Sequence, residues 1–185
     1  MTRRAALARA TAAGFLLAAS LLAHAQDCVD PVRSVPSPLF AATHAGIRAH
    51  SFALTSNHDA VERFEFGDGI QAEVRHGGCE YYVTTYRFSA PALFARGYTT
   101  RQVYAAAAGF LRTLAALQPN TASPPGLAAA TLDAQARASA APVLGREIAV
   151  DGDGVDPLQG GVVIDAAGRR NRAGFVQVIL FRGPL

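Results

Sequence analysis

The sequence predicts an α+β domain: a largely antiparallel sheet packed by one or two helices. Three observations carry this. Polarity alternates residue by residue between glycine turns over about 47–88, a capped apolar helical stripe follows over about 100–118, and β-branched runs return over about 146–182. Strands, then helices, then strands is the order of a segregated α+β fold rather than of alternating βαβ units.

The chain begins with Arg3, Arg4 and Arg9, an apolar run from Thr11 to Ala23, and Ala23-His24-Ala25. This is the layout of a secretory signal peptide over residues 1–25, with Gln26 as the first mature residue. The run falls short of the roughly 20 apolar residues that a membrane span needs, so no stable membrane anchor is expected after cleavage. The expected location is the bacterial periplasm, or the medium beyond it. About 160 residues then remain, residues 26–185, enough for one domain with a sizeable core.

The formal charge of +3 comes from the leader's arginines alone, and the rest of the chain is formally neutral. That removes the basic surplus a nucleic-acid partner would require. Every basic residue is arginine, so lysine Schiff-base and Ser-Lys chemistry are excluded. Two cysteines, Cys28 and Cys79, are expected to form a disulfide in an exported chain. It would close a loop of about 50 residues, worth on the order of 4 kcal/mol by chain entropy.

The first strand is expected over Ile47 to Thr55. The next two flank Gly67-Asp68-Gly69, and a three-residue loop with Gly69 at positive φ sets Phe64 opposite Ala72 and Arg63 opposite Glu73. A two-residue turn would mix the faces. The following Gly77-Gly78 reads as a two-residue turn, which sets Val74 opposite Tyr81, His76 opposite Cys79 and Arg75 opposite Glu80. In that register Tyr82 and Tyr86 share a face with Glu73 and Arg75. Left uncovered, such a face would bind a partner, because tyrosine and arginine concentrate binding energy; the alternative is that a helix covers it and the tyrosines are core.

Thr99 and Gln102 form a capping box for the helix over about 100–118, whose stripe is Val103, Ala107, Phe110, Leu111, Leu114 and Leu117. A second, alanine-rich helix is expected over about 127–141. Among the later strands, Phe175 to Phe181 is apolar on both faces, which predicts a central strand or one covered on both sides.

Candidate chemistry is sparse. His76 beside Cys79 has the residue types of a thiolate or metal site, but a disulfide at Cys79 leaves a turn and a histidine beside it. Asp151, Asp153 and Asp156 suggest a calcium loop, yet Val155, Asp156 and Val162 break the EF-hand pattern at its fifth, sixth and twelfth positions. Arg169, Arg170 and Arg172 crowd one turn and suit a carboxylate partner, or they are simply a polar hairpin tip. No cofactor motif and no nucleophile elbow is present. The expectation is an exported, non-catalytic binding protein, an inhibitor or immunity-type protein whose partner is another envelope or secreted protein. The alternative is a small periplasmic hydrolase or metal-dependent enzyme using His76 or the Asp151–Asp156 loop.

Overall fold

A computed structural model describes residues 35–78, 82–117, 124–150 and 160–183. The expected leader, both cysteines of the expected disulfide, Glu80, Tyr81 and the Asp151, Asp153 and Asp156 loop lie outside the described residues.

The fold is α+β, a seven-stranded sheet packed against two helices. The strands are β1 (Ile47–Leu54), β2 (Asp59–Phe66), β3 (Ile70–Gly77), β4 (Tyr82–Ala90), β5 (Glu147–Val150), β6 (Gly160–Arg170) and β7 (Ala173–Arg182). Their order is β1-β2-β3-β4-β7-β6-β5, and every neighbouring pair is antiparallel. Helices α1 (Thr100–Ala116) and α2 (Pro124–Arg137) interrupt the sheet between β4 and β5.

α1 begins where the capping box places it: the Gln102 amide donates to the Thr99 side chain and the Thr99 amide donates to Gln102 Oε1 at 2.8 Å. Its buried side is Val103, Tyr104, Ala107, Ala108, Leu111 and Leu114. α2 starts earlier than expected, at Pro124, because proline fits the first helical turn, whose amide has no intrahelical acceptor. These helices and the segment around Phe40 cover one face of the sheet, hereafter the inner face. There Phe64, Phe66, Val74, Tyr86, Phe88, Val162, Ile164, Val176 and Val178 form a single core with them.

The β2–β3 register is the expected one: Arg63 lies opposite Glu73, Phe64 opposite Ala72 and Phe66 opposite Ile70, with Gly69 at φ 76°. The β3–β4 register is not. Val74 lies opposite Tyr86 instead of Tyr81, and Arg75 opposite Thr85 instead of Glu80. β3 continues through Gly77, β4 begins at Tyr82, and residues 78–81 connect them, so Gly77-Gly78 is not a two-residue turn. The shift of five residues is odd and therefore moves every β4 side chain to the other face.

Two physical effects decide it. Gly77 is glycine because β2 passes close by: a Cβ there would lie 2.1 Å from the His58 carbonyl oxygen. And the observed register buries Tyr86 and Phe88, each worth about 1.5–3 kcal/mol of transfer free energy, whereas an exposed Arg75–Glu80 pair is worth at most about 1 kcal/mol.

β7 is central, as expected, but the described residues cover only one of its sides. Val176, Val178 and Leu180 are buried, while Phe175, Gln177, Ile179 and Phe181 are half-buried on the opposite, outer face.

Candidate functional site

The sheet pairings map the outer face row by row. One row runs Arg63, Glu73, Arg87, Gln177 across β2, β3, β4 and β7; the next runs Val61, Arg75, Thr85, Ile179, Val163; a third runs Gly77, Val83, Phe181, Gly161. No described helix packs there, so the face presents arginines on the β2–β4 side and half-exposed apolar side chains on the β7 side.

Its polar half is organised around one carboxylate. Glu73 Oε2 accepts from Arg63 Nε and Glu73 Oε1 from Arg75 Nε, both at 2.8 Å. Partial burial on its own would raise the Glu73 carboxyl; the hydrogen bonds and charges of Arg75 and Arg63 outweigh it and hold the group below the usual carboxylate range. Arg87, opposite Glu73 on the other side, lies over the Phe175 ring at 4.6 Å. Phe175 in turn lies over Gly168, where a Cβ would sit 3.4 Å from the ring, and Phe181 covers Gly161 more tightly. Aromatics laid over cross-strand glycines stiffen the sheet where side chains are missing.

Two recesses of about 390 Å³ each open on this face. One is lined by Arg63, Glu65, Gln71, Glu73, Arg87 and Ser89, and the other by Asp59, Val61, Arg75, His76, Val83 and Thr85.

Of the residues singled out in the sequence, Glu73 and Arg75 therefore stand together on the outer face. Tyr82 and Tyr86 do not join them. Tyr86 is 3% exposed in the core, stacked near-parallel on Phe88 with centroids 6.1 Å apart, and burial pushes its hydroxyl pKa up. Tyr82 is half-buried on the inner side, its hydroxyl 2.8 Å from His76 Nδ1. The shared Tyr82/Tyr86/Glu73/Arg75 face is thus split by the β3–β4 register. Arg169, Arg170 and Arg172 lie apart again, at the β6–β7 turn, beyond the last β4–β7 pair. Arg169 is tied into the fold, donating to the carbonyls of Leu93 (3.2 Å) and Arg172 (2.7 Å). Asn171 and Arg172 take φ of 50° and 69°, the positive values that a two-residue hairpin turn demands.

The titratable groups whose behaviour burial alters most face inward. Glu62 is fully buried and accepts from the amides of Leu39 (3.1 Å) and Phe40 (3.3 Å), with His50 Nε2 at 3.1 Å. A bulge in β1 between Arg48 and Ser51, with Ala49 at φ 50°, accompanies that inward placement of His50. Burial raises the Glu62 carboxyl against the opposing hydrogen bonds. His76 is 3% exposed; burial lowers its pKa, Asp59 opposes this, and its Nε2 has no hydrogen-bond partner among the described residues. Among the described residues no cluster of three His, Cys, Asp or Glu side chains could hold a metal ion.

Sequence reasoning missed Arg87, Phe175, Ile179 and Phe181 as one surface. A signal was present: Val83, Thr85, Arg87 and Ser89 are less apolar than Thr84, Tyr86 and Phe88, so the two faces of β4 could be told apart without any turn assignment. No family model, no curated protein and no solved structure matches the chain.

Proposed function

We propose that this chain is an exported, non-catalytic binding protein of the bacterial envelope that engages another protein, as an inhibitor or immunity-type protein does, through the outer face of its sheet. The single observation that supports the reading is the composition of that face. Half-exposed Phe175, Ile179 and Phe181 adjoin the Arg63–Glu73–Arg75–Arg87 group. Apolar anchors beside a polar, arginine-bearing rim are the anatomy of a protein interface. Of the shifted acid–base groups, Glu62 faces the covered side and lines neither recess, whereas His76 also borders the second recess.

One observation favours the second reading, a small hydrolase acting through His76: its Nε2 is buried with no partner among the described residues, which is costly unless something occupies it. The two readings separate in one experiment. The mature protein is used to capture partners from an envelope extract, alongside Arg75→Glu with Ile179→Glu on the outer face, Arg137→Glu on α2, and His76→Gln. The binding reading expects the captured protein to be lost with the outer-face variant alone. Retention by that variant would refute it.

A further inference from the structure

The strongest unassigned chemistry lies within the polar half of the outer face. Glu73 has two carboxylate oxygens, and Arg63 and Arg75 each take one, at 2.8 Å. Arg87, on the far side of Glu73, has no ion pair among the described residues; its guanidinium rests on the Phe175 ring. Three guanidinium groups therefore gather about one carboxylate; Glu65, in the adjoining row and lining the same recess, is paired with Arg48. Arg63 and Arg75 bind Glu73 through Nε, which leaves the terminal nitrogens of both forks uncommitted among the described residues.

Such surplus is usually dissipated, because arginine side chains on a surface are mobile and solvated. Here each is held in place: two by Glu73, the third by an aromatic ring that is itself laid over Gly168. Preorganised forks lose less freedom on binding, and the group that matches a planar fork is a planar carboxylate. The recess of about 390 Å³ lined by Arg63, Glu73 and Arg87 gives such a group a place to enter.

Resting on the reading of this face as a protein-binding surface, we infer that Arg63, Arg75 and Arg87 form a carboxylate-binding trio organised by Glu73 and Phe175, and that its occupant is an acidic segment of the partner protein. Charge complementarity selects the occupant, since three guanidinium groups meet one carboxylate, Glu73, while the neighbouring Glu65 is paired with Arg48.

The test uses fluorescence anisotropy with a labelled peptide of alternating glutamate and valine, its glutamine counterpart, and citrate as a free competitor. The full mature protein is compared with Arg87→Gln, Arg63→Gln and, as a control of equal charge change, Arg170→Gln at the β6–β7 turn. Two trio variants are included so that a folding defect in one, read by circular dichroism, leaves the other to decide. The expected result is binding of the glutamate peptide only, weakened at least about tenfold by either trio variant, the loss of a charge-assisted contact, and unchanged by Arg170→Gln. Equal weakening by Arg170→Gln would mean diffuse electrostatics and overturn the site. Citrate binding with the same arginine dependence while the peptide fails would overturn the proposed occupant in favour of a small carboxylate. If the captured partner depends on Ile179 while the trio variants change nothing, the trio is wrong and the binding face stands.

Discussion

Val74 lies directly opposite Tyr86 across β3 and β4, and this pairing determines which side of the molecule is covered. With Tyr86 pointing inward, Phe88 does too, and Arg87 and Thr85 point out. Tyr86→Ala is therefore a core truncation and should cost about 3–5 kcal/mol. Arg75→Ala, on the other face, should cost at most about 1 kcal/mol. Urea denaturation of both variants measures the contrast, and comparable losses would contradict the assignment of faces.

Glu62 ties the segment around Phe40 to the sheet through two backbone amides. Burial raises its carboxyl despite the hydrogen bonds from His50, Phe40 and Leu39. A carboxyl raised by folding stabilises the folded state in its protonated form. That contribution is present below the ordinary glutamate value and is lost as pH rises through the raised one. Glu62→Gln cannot titrate and leaves one amide short of an acceptor, a cost of about 1–3 kcal/mol. Melting temperatures measured from about pH 4 to about pH 7 should show the advantage of wild type over the variant shrinking as pH rises. An advantage that grows with pH would mean the ionised form is the favoured one.

Two glycines of the central strands should respond differently to alanine. At Gly174 the added Cβ would lie 1.8 Å from the Leu93 carbonyl oxygen, so backbone has to move. At Gly161 it would meet the Phe181 ring, which can rotate away into solvent. Gly174→Ala should cost about 3 kcal/mol or more, at or beyond the upper end of overpacking penalties, and Gly161→Ala about 1 kcal/mol. Thermal unfolding of the pair decides it.

Export and the bridge make a joint prediction. Expressed with its leader in a Gram-negative host, the protein should begin at Gln26 by N-terminal sequencing. It should show no free thiol, native or denatured, until it is reduced. A free thiol in both states would remove the Cys28–Cys79 disulfide.

What was legible in the sequence follows the range of the interactions involved. The β2–β3 register could be read because Gly67-Asp68-Gly69 and the alternating faces agree, and α1 because Thr99 and Gln102 are three residues apart and make a local cap. The β3–β4 register could not be read from its turn. Gly77-Gly78 carries a strong local hairpin signal, but Gly77 answers instead to the approach of His58, just before β2, a non-local contact. The apolar area of Tyr86 and Phe88 outweighs the Arg75–Glu80 pairing that a two-residue turn would supply. Arg87 and Phe175 come together only because β4 pairs with β7 across the helical segment, a relation that no local pattern encodes.

The central claim is that the outer sheet face is the binding surface. Hydroxyl-radical footprinting of the captured complex against the free protein tests it most directly. The account predicts that Phe175, Ile179 and Phe181 lose labelling on complex formation while exposed positions of α1 and α2 do not. Protection falling on the helices, with the three outer-face residues labelled as in the free protein, would contradict it.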